Sequence, residues 1–397
     1  MHQETQITLI EKAFSRMEQR STELGDTEHA WPIKDYRDKD RYEKEVTMIR
    51  RHPIIVAHSS QLRKPGDFIT KTIIGLSIIV VRSTTGGASA FLNTCRHRGA
   101  RLLSKDCGGK LKHFSCPYHG WTYDTDGRLI ALPDKQRGFP NIDQEQLGLI
   151  RLPTEERHGF VWVVPWPAGK DSTGEPMPVA TLLGEGLDCE IASFEFDSYV
   201  FYRNESWTGD FNWKSGIEQF LENYHFPVLH GNSTDYIFNN SVLLCDQIGT
   251  HFRAVAPKKS IRDLKTLDRS QWDLRPHATV LYTIFPLSVF FIESNHFSLL
   301  QIFPEEVGRS RIDVTHVVGT DGLQMRTHWE ANIRLFLAAI REDLDMCEIM
   351  QEGFMNGATD TVIFGRNEVG LHRYRTCIEQ ALGHVHDHAE PACRTTA

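Results

Sequence analysis

The sequence predicts an α+β protein built from two domains. Its 397 residues are 40% hydrophobic and 24% charged, an ordinary globular composition, and at roughly 150 residues per domain they suffice for two or three domains. Short β-rich runs punctuated by Gly and Pro fill residues 65–164, whereas residues 278–303 carry several strands that precede a long helical pattern from about Met325 to Phe354. A sheet with a long helix laid across it is typical of α+β architecture.

The first fifty residues predict a helical arm. Apolar side chains recur at helical spacing between residues 4 and 24, at Ile7, Ile10, Phe14 and Met17. A second, shorter helical pattern covers Asp40 to Arg51. We therefore assign residues 1–50 to an N-terminal helical arm.

A β-rich domain is predicted over residues 51–167 and a second domain over residues 168–397. Gly and Pro separate the short strands of the first domain, which we expect at residues 68–73, 77–82 and 90–93. Pro165-Trp166-Pro167-Ala168-Gly169 is typical of a linker and sets the boundary. In the second domain, Glu195–Glu205 is predicted as a strand and Asn212–Tyr224 as a helix.

Charge and composition exclude several classes of protein. The 44 basic and 52 acidic side chains leave a formal net charge of −8, which disfavours binding to the phosphate backbone of nucleic acids. The N-terminus lacks a secretory signal pattern, and the longest apolar run, Ile73–Val81, is far shorter than the roughly 20 residues that span a membrane. We expect a cytoplasmic protein without membrane contact, whose eight cysteines are metal ligands or buried thiols.

Two cysteine–histidine pairs form the first candidate metal site. Cys95-Arg96-His97 and Cys116-Pro117-Tyr118-His119 read C-x-H and C-x-x-H, with 18 residues between them. One thiolate and one imidazole on each of two loops is the ligand set of a Rieske [2Fe-2S] cluster, in which two Cys hold one iron and two His hold the other. A structural zinc site is the alternative, although a single residue between Cys and His is unusual for zinc.

At these residues the chain resembles the Rieske non-haem iron oxygenases, the catalytic alpha subunits of aromatic-ring-hydroxylating dioxygenases and of related monooxygenases and demethylases. The likeness rests on Cys95-Arg96-His97-Arg98-Gly99, on Cys116-Pro117-Tyr118-His119-Gly120-Trp121-Thr122-Tyr123 and on Asp126-Gly127. It implies an all-β Rieske domain, followed by a catalytic domain whose antiparallel sheet wraps on the long C-terminal helix in a helix-grip (START-like) fold.

The second candidate site is the segment Glu222-Asn223-Tyr224-His225-Phe226-Pro227-Val228-Leu229-His230, which follows Asn212-Trp213-Lys214 as it does in the family. Glu222 and His225 are three residues apart and are predicted to share a helix face. Pro227 is predicted to end or kink that helix, which lets His230 turn back toward His225. Two histidines and a distant carboxylate form the facial triad of non-haem Fe(II), with positions left for O2 and substrate.

The carboxylate is expected on the long C-terminal helix, where Asp343 and Asp345 are the close candidates. The apolar stripe of this helix consists of Ile333, Phe336, Ile340 and Cys347. At about 100° per residue that stripe includes Asp343, whereas Asp345 points roughly the opposite way. The resemblance also selects Asp343, so His225, His230 and Asp343 are the predicted iron ligands. The alternative is a pair of buried, hydrogen-bonded histidines and an Arg-paired core carboxylate.

The resemblance implies a catalytic role for Glu222, where many members have Asp and some amine-oxidising branches have Glu. In the family, the residue at this position joins a cluster ligand of one subunit to an iron ligand of its neighbour, here His225, so the resemblance implies a head-to-tail ring, most simply a homotrimer. Glu218, one turn earlier, is predicted either to line the iron pocket or to be a solvated or supporting carboxylate.

Electrons are expected from separate partner proteins, because the chain has no flavin or nicotinamide fingerprint. Six basic residues face one acidic residue, Asp106, between positions 96 and 115. They are Arg96, Arg98, Arg101, Lys105, Lys110 and Lys112. We interpret this patch as the docking surface of an acidic ferredoxin or flavin reductase that passes on electrons from NAD(P)H; a solvated loop is the alternative.

These expectations define a terminal oxygenase that activates O2 at a mononuclear Fe(II) and hydroxylates a small aromatic or hydrophobic substrate, by dihydroxylation, monooxygenation or demethylation. The substrate is expected between residues 278–303 and the iron-bearing helix. Three alternatives remain at this level: a monooxygenase of quaternary amines, a Rieske electron carrier without oxygenase activity, and a zinc-stabilised ligand-binding module.

Overall fold

The structure, a computed structural model, describes residues 1–166, 175–231, 233, 236–239, 242–320 and 325–383. Its α-helices are α1 (Gln3–Gln19), α2 (Lys39–Arg50), α3 (Lys135–Gly138), α4 (Val179–Ala192), α5 (Trp213–Glu218), α6 (Phe226–Leu229), α7 (Arg326–Asn356) and α8 (Val369–Ala381). Its strands are β1 (His29–Pro32), β2 (Ile54–His58), β3 (Phe68–Ile73), β4 (Leu76–Arg82), β5 (Ala88–Leu92), β6 (Cys107–Gly108), β7 (His113–Ser115), β8 (Thr122–Asp124), β9 (Leu129–Ala131), β10 (Arg151–Leu152), β11 (Thr154–Arg157), β12 (Phe160–Val163), β13 (Tyr199–Gly209), β14 (Leu244–Ile248), β15 (His251–Pro257), β16 (Ala278–Ile284), β17 (Ser288–Ile292), β18 (His296–Glu306), β19 (Arg309–Gly319) and β20 (Thr361–Phe364).

The chain divides into two compact units. The small unit contains Ile49–Leu182 and Glu195–Phe201, and the large unit contains Met1–Met48, Leu183–Phe194 and the residues from Tyr202 onward. These limits differ from the predicted boundaries at residues 50 and 167, and residues 167 and 168 themselves lie outside the described part of the chain. The predicted N-terminal arm belongs to the large unit because β1 pairs antiparallel with β20, near the other end of the chain.

The small unit is a β-structure of three antiparallel sheets. Its largest sheet has the strand order β10-β5-β4-β3-β6, and the other two have the orders β11-β12-β2 and β7-β8-β9. The predicted strands at residues 68–73, 77–82 and 90–93 correspond to β3, β4 and β5. Cys95 and Cys116 are part of the hydrophobic core of this unit, together with Phe91, Trp121 and Tyr123.

The large unit is built on one antiparallel sheet with the order β13-β19-β18-β17-β16-β15-β14. Every residue of β16 and β17 is buried, as expected for strands that are covered on both faces. The long helix α7 crosses this sheet, with the rings of Phe336 and Phe291 5.0 Å apart, and Tyr374 of α8 packs against Phe252 and Phe285. The predicted α+β class, with an all-β unit and a sheet that holds a long helix, is confirmed.

The turn that contains Pro286 separates β16 from β17, and the bend at Ser294-Asn295 separates β17 from β18. Within the described part of the chain, no helix is both long and apolar enough to traverse a lipid bilayer.

Candidate metal centres and active site

The two cysteine loops of the small unit share one backbone design. In each loop the cysteine N–H donates to the carbonyl five residues later, and a glycine N–H four residues later donates back to the cysteine carbonyl; these bonds measure 2.8 and 3.0 Å at Cys95 and 2.8 and 3.1 Å at Cys116. The glycines, Gly99 and Gly120, have φ values of 79° and 70°, a conformation that favours glycine. The loops therefore present the side chains of both Cys and His residues from two equivalent turns.

Burial separates the two ligand types of these loops. Cys95 and Cys116 are buried, whereas His97 is half-buried and His119 is exposed, with the two imidazole rings 4.7 Å apart. Trp121 stacks on His97 with ring centroids 4.8 Å apart. The buried Nδ1 of His97 has no hydrogen-bond partner among the described residues. A group with a thiolate-bound iron inside and an imidazole-bound iron at the surface fits this arrangement.

The thiol of Cys95 is placed in a protein environment that suits a metal. Burial raises the pKa of the Cys95 thiol, so its thiolate requires a cation beside it. The Tyr123 hydroxyl lies 3.4 Å from the Cys95 sulfur and accepts a 3.0 Å hydrogen bond from the Arg96 N–H. Hydrogen bonds of this kind to cluster sulfurs are one means by which proteins tune the potential of such a centre.

The candidate mononuclear site brings together three side chains from distant parts of the chain. His225 Nε2 lies 3.3 Å and His230 Nε2 lies 2.9 Å from Asp343 Oδ1, and the three ligand atoms lie within 4.8 Å of one another. Within the described residues, His225 Nε2 and Asp343 Oδ1 are buried without a hydrogen bond of acceptable geometry. Donor atoms that converge on one point and lack partners of their own fit a bound cation.

The prediction of one helix through this site is wrong, but His225 and His230 lie close together as predicted. Helix α5 ends at Glu218, so Glu222 lies in the irregular segment between α5 and α6, and Pro227 is in the first turn of the one-turn helix α6 instead of ending a longer one. Proline is favoured in the first turn of a helix, where its missing N–H costs no hydrogen bond. His225 and His230 flank the two ends of α6, which points both rings at Asp343.

Two carboxylates orient the histidines. Glu222 contacts Nδ1 of His225, and Glu342 lies 2.7 Å from Nδ1 of His230 and accepts a 2.6 Å hydrogen bond from the Ser233 hydroxyl. Each contact leaves Nε2 to face the centre, the arrangement commonly found around metal-bound histidines. The role of Glu342 escaped the sequence analysis, whose only indication was its position next to Asp343 on α7.

The electrostatic field at this centre favours a cation. Burial alone would lower the pKa of His225, but the carboxylates of Asp343 and Glu222 outweigh it and raise that pKa to about 10. The pKa of His230 is also raised, because Asp343 outweighs burial there. A site that stabilises a proton in this way also stabilises a metal cation in its place.

The helix α7 carries the carboxylate as its periodicity predicts. Asp343 is buried together with Ile333, Ile340 and Cys347, whereas Asp345 is exposed. The candidate triad of His225, His230 and Asp343 is therefore formed by one segment around α6 and one face of α7.

A cavity of about 320 Å³ opens from this triad. Its wall includes His230 and Asp343 of the triad. Residues of the central strands and further residues of α7 also line it. The apolar part of the lining is Phe220, Phe226, Ile237, Phe238, Leu243, Ala256, Leu281, Phe291, Leu335, Phe336, Ala339 and Ile340. The polar part of the remaining lining is Gln219, Glu222, Lys258, Thr279, Glu293, His296, Ser298 and Asn332. The substrate was predicted to bind between residues 278–303 and the iron-bearing helix, and both contribute to this lining.

Glu218 does not line the cavity; it lies in a buried network of charges. Its carboxylate accepts hydrogen bonds of 2.9 and 3.0 Å from the Tyr36 hydroxyl, and burial raises its pKa despite the nearby Arg375. Glu45, in the same network, accepts hydrogen bonds from Lys214, Trp213 and Arg41. This network could not be predicted from the sequence, because its members are far apart along the chain.

Comparison with known proteins gives matches in both halves of the chain. The family model described as the Rieske [2Fe-2S] domain matches residues 52–152, and the model described as the catalytic domain of the ring-hydroxylating alpha subunit matches residues 196–384. The chain is 32% identical over 206 residues to the biphenyl 2,3-dioxygenase alpha subunit of Rhodococcus jostii (strain RHA1). The aligned residues cover 51% of this chain and 42% of that protein.

Other relatives include a monooxygenase and a second dioxygenase. The carnitine monooxygenase oxygenase subunit of Escherichia coli (strain K12) is 32% identical over 214 residues, which covers 53% of this chain and 55% of that protein. The benzene 1,2-dioxygenase alpha subunit of Pseudomonas putida is 32% identical over 195 residues, which covers 48% of this chain and 42% of that protein. The chain thus spans about half the length of the curated relatives it matches.

Solved structures share the fold at lower sequence identity. A structure of a quaternary ammonium Rieske monooxygenase matches with a TM-score of 0.76 and 21% identity, over 90% of this chain and 96% of that one. Naphthalene 1,2-dioxygenase from Rhodococcus sp. matches with a TM-score of 0.72 and 16% identity, over 95% and 98% of the two chains.

Proposed function

Because the chain belongs to the Rieske non-haem iron oxygenases, with a Rieske domain followed by a ring-hydroxylating catalytic domain, we propose that it is a terminal oxygenase that hydroxylates a small aromatic or hydrophobic substrate. The observation that carries the proposal is the triad of His225, His230 and Asp343 at the end of an apolar cavity. When bound, the [2Fe-2S] cluster supplies single electrons and the mononuclear Fe(II) supplies O2 activation. Cys95, His97, Cys116 and His119 would hold the cluster.

The cavity wall favours an uncharged arene over a quaternary amine. Five phenylalanine rings line it, at Phe220, Phe226, Phe238, Phe291 and Phe336. Aromatic walls also attract quaternary ammonium groups, and a carnitine-oxidising relative exists, so this amine is the second candidate. However, Glu293 is already bound to Lys258, and Glu222 to His225. The lining therefore offers a cation few unpaired carboxylates, and Lys258 repels it.

The surface beside His225 supports electron transfer from a neighbouring subunit. Tyr224 and Val228 are 68% and 89% exposed next to the half-buried Glu222, and exposed apolar side chains of this size often mark a contact surface. On the small unit, His119 and Tyr118 are exposed in the same way. In a head-to-tail trimer these two surfaces would meet, and a similar solved monooxygenase is described with inter-subunit electron transfer.

The electron donor is proposed to be an acidic ferredoxin or a flavin reductase that is reduced by NAD(P)H. Arg98, Arg101, Lys105, Lys110 and Lys112 are exposed around the cysteine loops. A cluster of cations on an acidic chain raises the rate at which an acidic partner reaches that face.

Replacing Glu222 by Gln is expected to slow electron delivery to the mononuclear site by about tenfold to a hundredfold, the range for partners of metal-bound histidines. The amide keeps the size of the side chain but removes the charge that contacts His225 Nδ1. The measurement is the oxidation rate of the reduced cluster in a single turnover with O2 and substrate, with iron content determined in parallel. Glu222→Asp should recover part of the rate, and Glu352→Gln, an exposed carboxylate on α7, should leave it unchanged. A full rate in Glu222→Gln would contradict the proposed route.

The proposed function is tested by metal analysis and by product analysis together. Protein purified without oxygen should contain about three Fe and two sulfides per chain and show a Rieske-type visible spectrum. With a reductase, NADH and biphenyl, it should form an oxygenated product. About two Fe without product would indicate an electron carrier, zinc without iron would indicate a structural zinc module, and turnover of carnitine but of no arene would favour the amine monooxygenase.

A further inference from the structure

The end of the cavity away from the metal triad carries an ion pair between two lining residues, Lys258 and Glu293. Lys258 Nζ donates to Glu293 Oε2 at 2.5 Å, and the Thr279 hydroxyl donates to Glu293 Oε1 at 2.6 Å. Both oxygens of this carboxylate therefore have a partner. The lysine ammonium has three N–H donors, and Glu293 is its one hydrogen-bond partner within the described residues. Donors of Lys258 remain for a group inside the cavity.

The sheet positions these three residues as one row. Lys258 follows β15, whose Ala256 pairs with Thr279 of β16, and Glu293 follows β17, whose Ile292 pairs with Val280. The backbone of Lys258 is also fixed, because its N–H donates to the His277 carbonyl at 2.8 Å. The ion pair is thus built into neighbouring strands and is not a chance contact of surface side chains.

The α7 residues that line the cavity give its length. They run from Asp343 at the metal triad to Asn332, a rise of about 16 Å along a helix. His296, which also lines the cavity, packs against Trp329 with ring centroids 5.0 Å apart, so the polar end lies near the start of α7. A two-ring arene with a substituent on the far ring suits this span.

We propose that Lys258, held by Glu293, whose carboxylate is in turn bound by Thr279, selects substrates whose distal end carries an uncharged oxygen group, such as a hydroxyl or a carbonyl. This inference rests on the proposed function and names the substrate class of the same site. The Lys258 donors would bind the oxygen at one end of the cavity and so position the opposite ring at the triad. Lys258 is a positioning residue, since it contacts the substrate away from the reacting carbon atoms.

Because Lys258 is paired with Glu293, an uncharged substituent of the substrate is expected to fit this end of the cavity best. An anionic substituent would place a second carboxylate on an ammonium that Glu293 already neutralises, and a cationic one would meet the ammonium itself. His296 adds no positive charge, because burial, with Lys258 nearby, lowers its pKa to about 4. A neutral hydrogen-bond acceptor avoids both costs.

The test compares the binding of biphenyl, 4-hydroxybiphenyl and biphenyl-4-carboxylate by calorimetry to the iron-loaded full chain without oxygen. The wild-type protein should bind 4-hydroxybiphenyl about tenfold more tightly than biphenyl, as expected for a hydrogen bond to a charged donor less its desolvation. The carboxylate should bind no more tightly than biphenyl. The double variant Lys258→Met/Glu293→Gln leaves no unpaired charge in the wall and should abolish the preference. Lys259→Met, at the exposed neighbouring position, should keep it.

Equal binding of biphenyl and 4-hydroxybiphenyl to the wild type would overturn the inference, as would an unchanged ratio in the double variant or tightest binding of the carboxylate. In each of these cases biphenyl still binds, and the proposed oxygenation of arenes stands. If none of the three compounds binds to iron-loaded protein, the arene substrate class itself fails, and this inference fails with it.

Discussion

Replacing Asp343 by Ala is expected to lower the iron content from about three to about two atoms per chain and to reduce product formation by more than about a hundredfold. Partners of metal-bound histidines already contribute 10- to 100-fold in affinity or activity, so the loss of a proposed ligand should cost more. The remaining atoms, His225 Nε2 and His230 Nε2, would lose the carboxylate oxygen on which they converge. Iron analysis and the rate of product formation measure the effect.

The helix itself provides the control. Asp345 is two residues away on α7 and is exposed, so Asp345→Ala should keep three irons and full activity. The visible spectrum should be unchanged in both variants, because the cluster loops belong to the small unit. An Asp343→Ala protein that retains its mononuclear iron would show that another carboxylate holds the metal.

Replacing Glu45 by Ala is expected to lower the free energy of unfolding by about 3 to 5 kcal/mol, the cost of breaking a buried ion pair. Glu45 is completely buried and accepts hydrogen bonds from Lys214 at 2.7 Å, Arg41 at 2.8 Å and the Trp213 indole at 3.0 Å. Removing the carboxylate would leave the buried Lys214 ammonium without its counter-charge. Thermal unfolding should show a decrease in Tm of roughly 10 °C.

The pH dependence distinguishes this charge effect from lost packing. Burial alone would raise the pKa of Glu45, but Lys214 and Arg41 outweigh it and lower that pKa below the ordinary value of 4.5. A lowered pKa in the folded state means that the stabilisation is present above pH 4.5 and is lost as the pH falls through the folded value. The stability difference between wild type and Glu45→Ala should therefore be complete at pH 7 and should shrink below pH 4.5.

Glu43 provides the matched substitution on the same helix. Its side chain is exposed, and its nearest charge partner, Lys39, is 4.0 Å away, so Glu43→Ala should change the unfolding free energy by less than about 0.5 kcal/mol. Equal effects of the two substitutions, or a Glu45→Ala effect that does not change with pH, would contradict the assigned role of the buried pair.

Much of the candidate chemistry could be predicted because it is encoded locally. The spacing of Cys95, His97, Cys116 and His119 specifies two ligand-bearing turns without knowledge of the rest of the fold. The periodicity of α7 distinguishes Asp343 from Asp345, because neighbouring apolar residues on a helix define the face that is buried. The alternating β-rich runs and the long helix likewise predicted the α+β class.

Predictions from neighbouring residues failed where only one or two residues decide at which position a helix ends or begins. The segment from Asn212 to Tyr224 has a helical appearance, but the chain leaves the helix after Glu218 and starts again at α6. Proline is compatible with either the end or the first turn of a helix, and the sequence does not distinguish the two. Glu222 still contacts His225, from an irregular segment instead of a helix face.

The sequence by itself therefore determined the types and spacing of the candidate ligands and the fold class, since each follows from residues that are neighbours along the chain. Only the tertiary structure decided what lies around them. It pairs β1 with β20, directs Glu218 to Tyr36 instead of the cavity, and places Lys258 against Glu293. These pairings depend on how distant segments meet in the folded chain. The residues next to a carboxylate or an ammonium along the chain do not indicate which distant group it will contact.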